Sequence, residues 1–176
     1  MKTHLLLLPL AALLLATPAR ADLQVRISVK FILGSSGQRP SNYTGGFGTS
    51  SIGLTNNQAI IDNIAYANEL LRRAGRGYQY TLTEIQDVSG WSSFFNIPAR
   101  NGPNKNALED VATSNATTRA QFFWRDNAIN VYINNTSSGV CSFPDDGYSA
   151  IFIGSLAYDT LIIHESGHYF NLYHMH

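Results

Sequence analysis

The chain has 176 residues, with 12 Lys plus Arg balanced by 12 Asp plus Glu. That length suits one domain with a real core and is too short for two comfortable ones. The charge balance excludes the broad basic surface of a nucleic-acid binder or of a protein held on anionic membranes.

Residues 1–21 read as a signal peptide. Lys2 supplies a positive start, Leu5 to Leu15 is an almost unbroken apolar run, and Ala19-Arg20-Ala21 is a small-x-small cleavage site. A run of about 11 apolar residues falls short of the roughly 20 that span a bilayer, which disfavours the alternative of a membrane anchor. No second long apolar run follows, so no membrane span is expected. The sequence predicts a secreted product, extracellular or periplasmic, cleaved near Ala21 and starting near Asp22.

Leu23 to Leu33 alternates and is rich in Val and Ile, which predicts a strand. Gly34 to Gly53 is dense in Gly, Ser, Asn and Thr and reads as a long loop. Thr55 followed by Gln58 has the spacing of a capping box. Ile60, Ile64, Ala67 and Leu71 then recur at helical spacing, and Gly75 is placed to end the helix in the left-handed region. A helix is predicted over Asn56 to Arg73. Arg72, Arg73 and Arg76 cluster at its end, where cations favour the negative dipole end on a solvated face.

Tyr78 to Val88 predicts a second strand, followed by a connection through Pro98, Gly102 and Pro103. Leu108, Val111 and Ala112 suggest a helix, interrupted by the polar run Thr113 to Thr118 and resuming around Arg119 to Trp124. Ala128 to Ile133 is a buried type of strand. Tyr148 to Ile153 is another, after the turn residues Pro144 to Gly147. Asp159 to Phe170 predicts a last helix with Asp159 as N-cap. Alternating strands and helices imply an α/β fold, a mainly parallel sheet with covering helices. The final strand, close in sequence to its predecessor, is expected antiparallel at the edge, where unpaired backbone groups would offer pairing to an extended peptide.

The chain carries one cysteine, Cys141. Two readings stand: a buried thiol packing as a small hydrophobe, or half of a disulfide whose partner lies in sequence not included here. Two sequons, Asn42-Tyr43-Thr44 and Asn115-Ala116-Thr117, have meaning only in a eukaryotic host. Asp145 and Asp146 read as turn solvation rather than calcium ligands.

The chemistry concentrates at the end of the chain, in His164-Glu165-Ser166-Gly167-His168-Tyr169-Phe170-Asn171-Leu172-Tyr173-His174. Residues i and i+4 share a helix face, so His164 and His168 can bring two imidazoles to one Zn2+. A catalytic zinc takes three protein ligands and keeps one position for water, and Glu165 is placed to remove that water's proton. His174 can be the third ligand only if the helix stops between it and His168, since a straight helix would carry it about 9 Å further. Asn171, after Gly the residue most tolerant of positive φ, occupies the place for that turn. His176 is a less favoured substitute. Tyr169 and Tyr173 read as packing residues.

This stretch resembles the metzincin signature HExxHxxGxxH, with Asn171 where Gly is usual. Within that clan, HESGHYFNLYH and the preceding GVCSFPDDGYSAIFI are most similar to the pappalysin family of secreted metalloendopeptidases. The likeness covers Val140 to His174. By position it implies that His164, His168 and His174 hold zinc and that Glu165 is the general base. It further implies a twisted five-stranded sheet with an active-site helix and a backing helix, the latter at Asn56 to Arg73. Met175 stands where pappalysin-like sequences more often carry Thr. Metzincins continue beyond the third histidine with a methionine-bearing turn and a specificity pocket. The resemblance therefore implies that residues 22–176 are the N-terminal part of a catalytic domain truncated after the zinc motif, and weak or no activity is expected of it in isolation.

Two function classes follow. The first is a secreted zinc endopeptidase acting on a protein or peptide substrate; the second is a non-catalytic exported binding module on the same scaffold. Peptide cleavage lost in Glu165→Ala with metal retained separates them.

Overall fold

A computed structural model describes residues 23–41, 55–97, 107–136, 139–141, 150–154 and 161–172. The predicted signal peptide, Asn42, Asp145, Asp146, Asp159 and residues 173–176, which include Tyr173, His174, Met175 and His176, lie outside them.

Among the described residues five strands form one sheet: β1 (Leu23–Ile32), β2 (Tyr78–Val88), β3 (Ile129–Asn134), β4 (Gly139–Cys141) and β5 (Ala150–Gly154). Their order across the sheet is β2-β1-β3-β5-β4. The first four are mutually parallel, and β4 alone runs antiparallel, against β5. The fold is thus mixed α/β. The expectation of an antiparallel final strand is corrected here: β5 is parallel to β3 and lies inside the sheet, and the edge belongs to β4. Three residues are too few for alternation to show in a sequence.

The helices among the described residues are α1 (Asn57–Arg73), α2 (Ala107–Thr113), α3 (Ala116–Gln121) and α4 (Leu161–Tyr169), with a short 3-10 turn at Ser92–Phe94. Among the described residues no helix is long and apolar enough to cross a membrane. The capping box at Thr55 is also corrected. Asn56 is the N-cap, its Oδ1 accepting the Ala59 N–H at 2.9 Å, while Gln58 bonds Asp62 instead. Either residue satisfies an orphan donor of the first turn, and Asn has the stronger preference. The polar interruption separates α2 from α3, and Asn115 caps the latter, three residues earlier than expected. At the far end of α1, Arg72 and Arg73 lie on a solvated face and pair with Glu69.

Period-two alternation divides the core between the two sheet faces. Ile27, Val29 and Phe31 of β1, Val131 and Ile133 of β3, and Ile151 and Ile153 of β5 pack under α1 and α4, with Cys141 among them. Ile32, Tyr132, Phe152 and Val88 pack with Leu108, Ala112 and Phe122 on the opposite face. That second face also holds polar groups. The β1–β2 register slips by one residue after Ile27, which leaves Thr83 extra and aligns Glu84 with Ser28. Ser28 donates to Glu84 at 2.5 Å, Arg125 holds Glu84 through two bonds of 2.7 Å, and the fully buried Lys30 donates to Asn130 Oδ1 at 2.6 Å.

Candidate metal centre

The apolar run Leu161-Ile162 seats α4, since both side chains are buried in the core under the sheet. Ser166, one turn after Ile162, is fully buried. Its hydroxyl donates to the Ile163 carbonyl at 2.9 Å and shares a short hydrogen bond with the Tyr80 hydroxyl. Tyr80 is in turn held to α1: its N–H donates to Asn68 Oδ1 at 2.7 Å and its carbonyl accepts from Asn68 Nδ2 at 2.9 Å. α1, β2 and α4 are thereby linked through polar groups inside an apolar layer. Burial pushes the Tyr80 hydroxyl well above its ordinary pKa, which keeps it protonated.

With that face turned inward, His164 is left exposed and His168 half-buried on the outer side. Their ring centroids stand 5.0 Å apart with the planes perpendicular. His168 Nδ1 lies 2.7 Å from the Leu172 carbonyl. A carbonyl only accepts, so the proton of this bond is on Nδ1, which in the neutral ring leaves the lone pair on Nε2. Fixing the tautomer through the second nitrogen is a usual feature of metal-ligating histidines.

The end of α4 explains how that carbonyl comes back to the ring. Asn171 has φ +63, in the left-handed region. The Asn171 N–H donates to the His168 carbonyl at 2.8 Å and the Leu172 N–H to the Gly167 carbonyl at 2.9 Å. These are the two bonds of a Schellman ending. Gly75 ends α1 in the same way with φ +64, its own N–H and that of Arg76 bonding Arg72 and Leu71. The helix therefore ends at Tyr169, and its left-handed turn residue lies three positions after His168.

Glu165 lies between the histidines in sequence but turns inward and is only 5% exposed. Its carboxylate accepts the backbone N–H of Cys141 on β4. Burial raises its pKa, against the opposing pull of His168 and of that N–H. Cys141 is itself buried, and desolvation raises its thiol pKa, so it packs as a small apolar side chain with little thiolate character. Tyr169 packs against the same core.

No family model, curated protein or solved structure matches this chain.

Two imidazoles one helical turn apart, one with its tautomer set, fit a borderline cation such as zinc. Among the described residues no group of three His, Cys, Asp or Glu side chains converges on one point, and the expected third ligand His174 lies outside them. Sequence reasoning named His164, Glu165, His168 and Asn171 as candidates. It missed the supporting set of Tyr80, Asn68 and Ser166 and the contact of β4 with Glu165. Ser166 carried a signal, being one turn from Ile162 on the inward face. Tyr80 carried none, since its partner is 86 residues away.

Proposed function

We propose that the protein is an exported zinc-dependent endopeptidase of the metzincin type, similar to the pappalysins, acting on protein or peptide substrates. The observation that carries the reading is the turn at Asn171. A motif that needs its helix to stop between the second and third histidines has a left-handed residue there, with both bonds of the helix ending in place.

In this reading His164, His168 and His174 hold Zn2+. When bound, zinc polarises the scissile carbonyl and acidifies a water. Glu165 then takes the proton of the attacking water on its carboxylate and passes it to the leaving amine. A buried carboxylate with a raised pKa is more basic than one in solvent, which suits a group that must both accept and return a proton. The Leu172 carbonyl keeps His168 in the ligating tautomer, and Ser166 with Tyr80 keeps the helix from rotating about its axis. Export through residues 1–21 belongs to the same reading.

The test is casein or peptide-library cleavage by the purified protein, together with its zinc content. We expect one zinc per chain, lost in His164→Ala, and cleavage abolished in Glu165→Ala with zinc retained. Absence of cleavage across a broad library, with zinc bound, would refute the peptidase reading and leave the binding module.

A further inference from the structure

Gly139 opens the edge strand β4, opposite Ile153 of β5. A β-carbon there would stand 2.9 Å from Glu165 Oε1 and 2.7 Å from Leu161 Cδ2, both closer than a carbon tolerates. Both side chains are nearly buried, Leu161 at 4% and Glu165 at 5%, so a β-carbon there displaces the two together, the carboxylate included. Two residues further, the Cys141 N–H donates to that same carboxylate. β4 therefore meets Glu165 at two points, at the α-carbon of Gly139, which lacks a side chain, and at the amide of Cys141.

We propose that β4 is the seat of Glu165, and that Gly139 is a positioning residue for the carboxylate. The proposal rests on the reading of Glu165 as general base. A side chain at 139 drives Oε1 off its place, breaks the bond from Cys141 and moves the carboxylate away from the proton it must accept. Misplacement of a reacting group by about 1 Å costs on the order of 100-fold in rate. The change displaces the proton acceptor, so the loss is expected in kcat.

The experiment reads the Cys141 amide directly. The 176-residue chain has one cysteine, so selective nitrogen-15 labelling of cysteine gives a single backbone signal. Its hydrogen exchange is measured relative to global unfolding in wild type, Gly139→Ala and Glu165→Ala. We expect slow exchange in wild type and at least about tenfold faster exchange in both variants, as for an amide that loses its acceptor. Kinetics should show kcat reduced in Gly139→Ala with zinc content unchanged. A Cys141 amide that exchanges equally slowly in Glu165→Ala overturns the seat, and that variant decides the matter even if Gly139→Ala does not fold. Wild-type kcat in Gly139→Ala overturns the positioning role. A wild-type protein that cleaves nothing refutes the peptidase reading, and the amide exchange then judges the seat by itself.

Discussion

Lys30→Met is expected to abolish a rise of stability with pH. In wild type the Lys30 ammonium is fully buried on β1, donating to Asn130 Oδ1 at 2.6 Å and to the Ser28 carbonyl at 3.2 Å, 5.4 Å from the Tyr132 ring centroid. Desolvation pushes its pKa down from 10.5 to about 7, opposed by Glu84 and aided by Arg125. Below pH 7 folded and unfolded chains are both protonated, and stability carries the full cost of the buried charge. Between pH 7 and 10.5 the unfolded chain binds one proton more than the folded one, so stability climbs as pH rises. Cys141 acts in the opposite sense above pH 9, because burial holds its thiol protonated while the unfolded thiol ionises. The clean window is therefore pH 7.0 to 8.5. At about 1.4 kcal/mol per pH unit, with the folded lysine half-protonated at the start, the expected gain is about 1.6 kcal/mol. Urea denaturation at the two pH values measures it. In Lys30→Met that gain should vanish, while Asn130 Oδ1 keeps the Arg125 N–H at 2.9 Å. The variant should also be the more stable protein at pH 7, since an apolar side chain of similar length needs no buried charge. Equal pH dependence in wild type and Lys30→Met would refute the reasoning.

Two further predictions concern helix ends. Asn171→Gly should preserve or slightly raise stability, whereas Asn171→Val, a β-branched residue at φ +63, should cost about 1–2 kcal/mol in urea denaturation and weaken zinc binding; equal zinc affinity in wild type and Asn171→Val would separate the turn from the metal site. Asn56→Ala should cost about 1 kcal/mol by removing the cap of α1, while Gln58→Ala, which loses only a surface bond to Asp62, should stay within about 0.5 kcal/mol. A reversed ranking would restore the capping box.

What was legible in the sequence was whatever local periodicity and spacing encode. β1, β2 and β3 announced themselves through alternation or an apolar run, and α1 through its stripe of Ile60, Ile64, Ala67 and Leu71. The turn at Asn171 followed from one inference, that a histidine six residues on must be brought back. What escaped notice depends on pairing across long separations. β4 is only three residues long and exists because β5 offers it an edge. The bond from Tyr80 to Ser166, the slip that turns Glu84 toward Ser28, and the buried Lys30 beside Asn130 join residues 86, 56 and 100 apart. Choosing between Thr55 and Asn56 as cap also lay below the resolution of a pattern, because both residue types perform that task.

The two faces of the sheet lead to one more consequence. β1 contributes Ile27, Val29 and Phe31 toward α4 and Ser28 and Lys30 away from it, so neighbouring residues of one strand serve separate tasks. Substitutions at the even-numbered positions can retune how firmly the chain stays folded in acidic or alkaline surroundings without disturbing the histidine pair. A protein that meets changing pH thus has a place to adapt that is separated from the histidine pair by the thickness of a single strand.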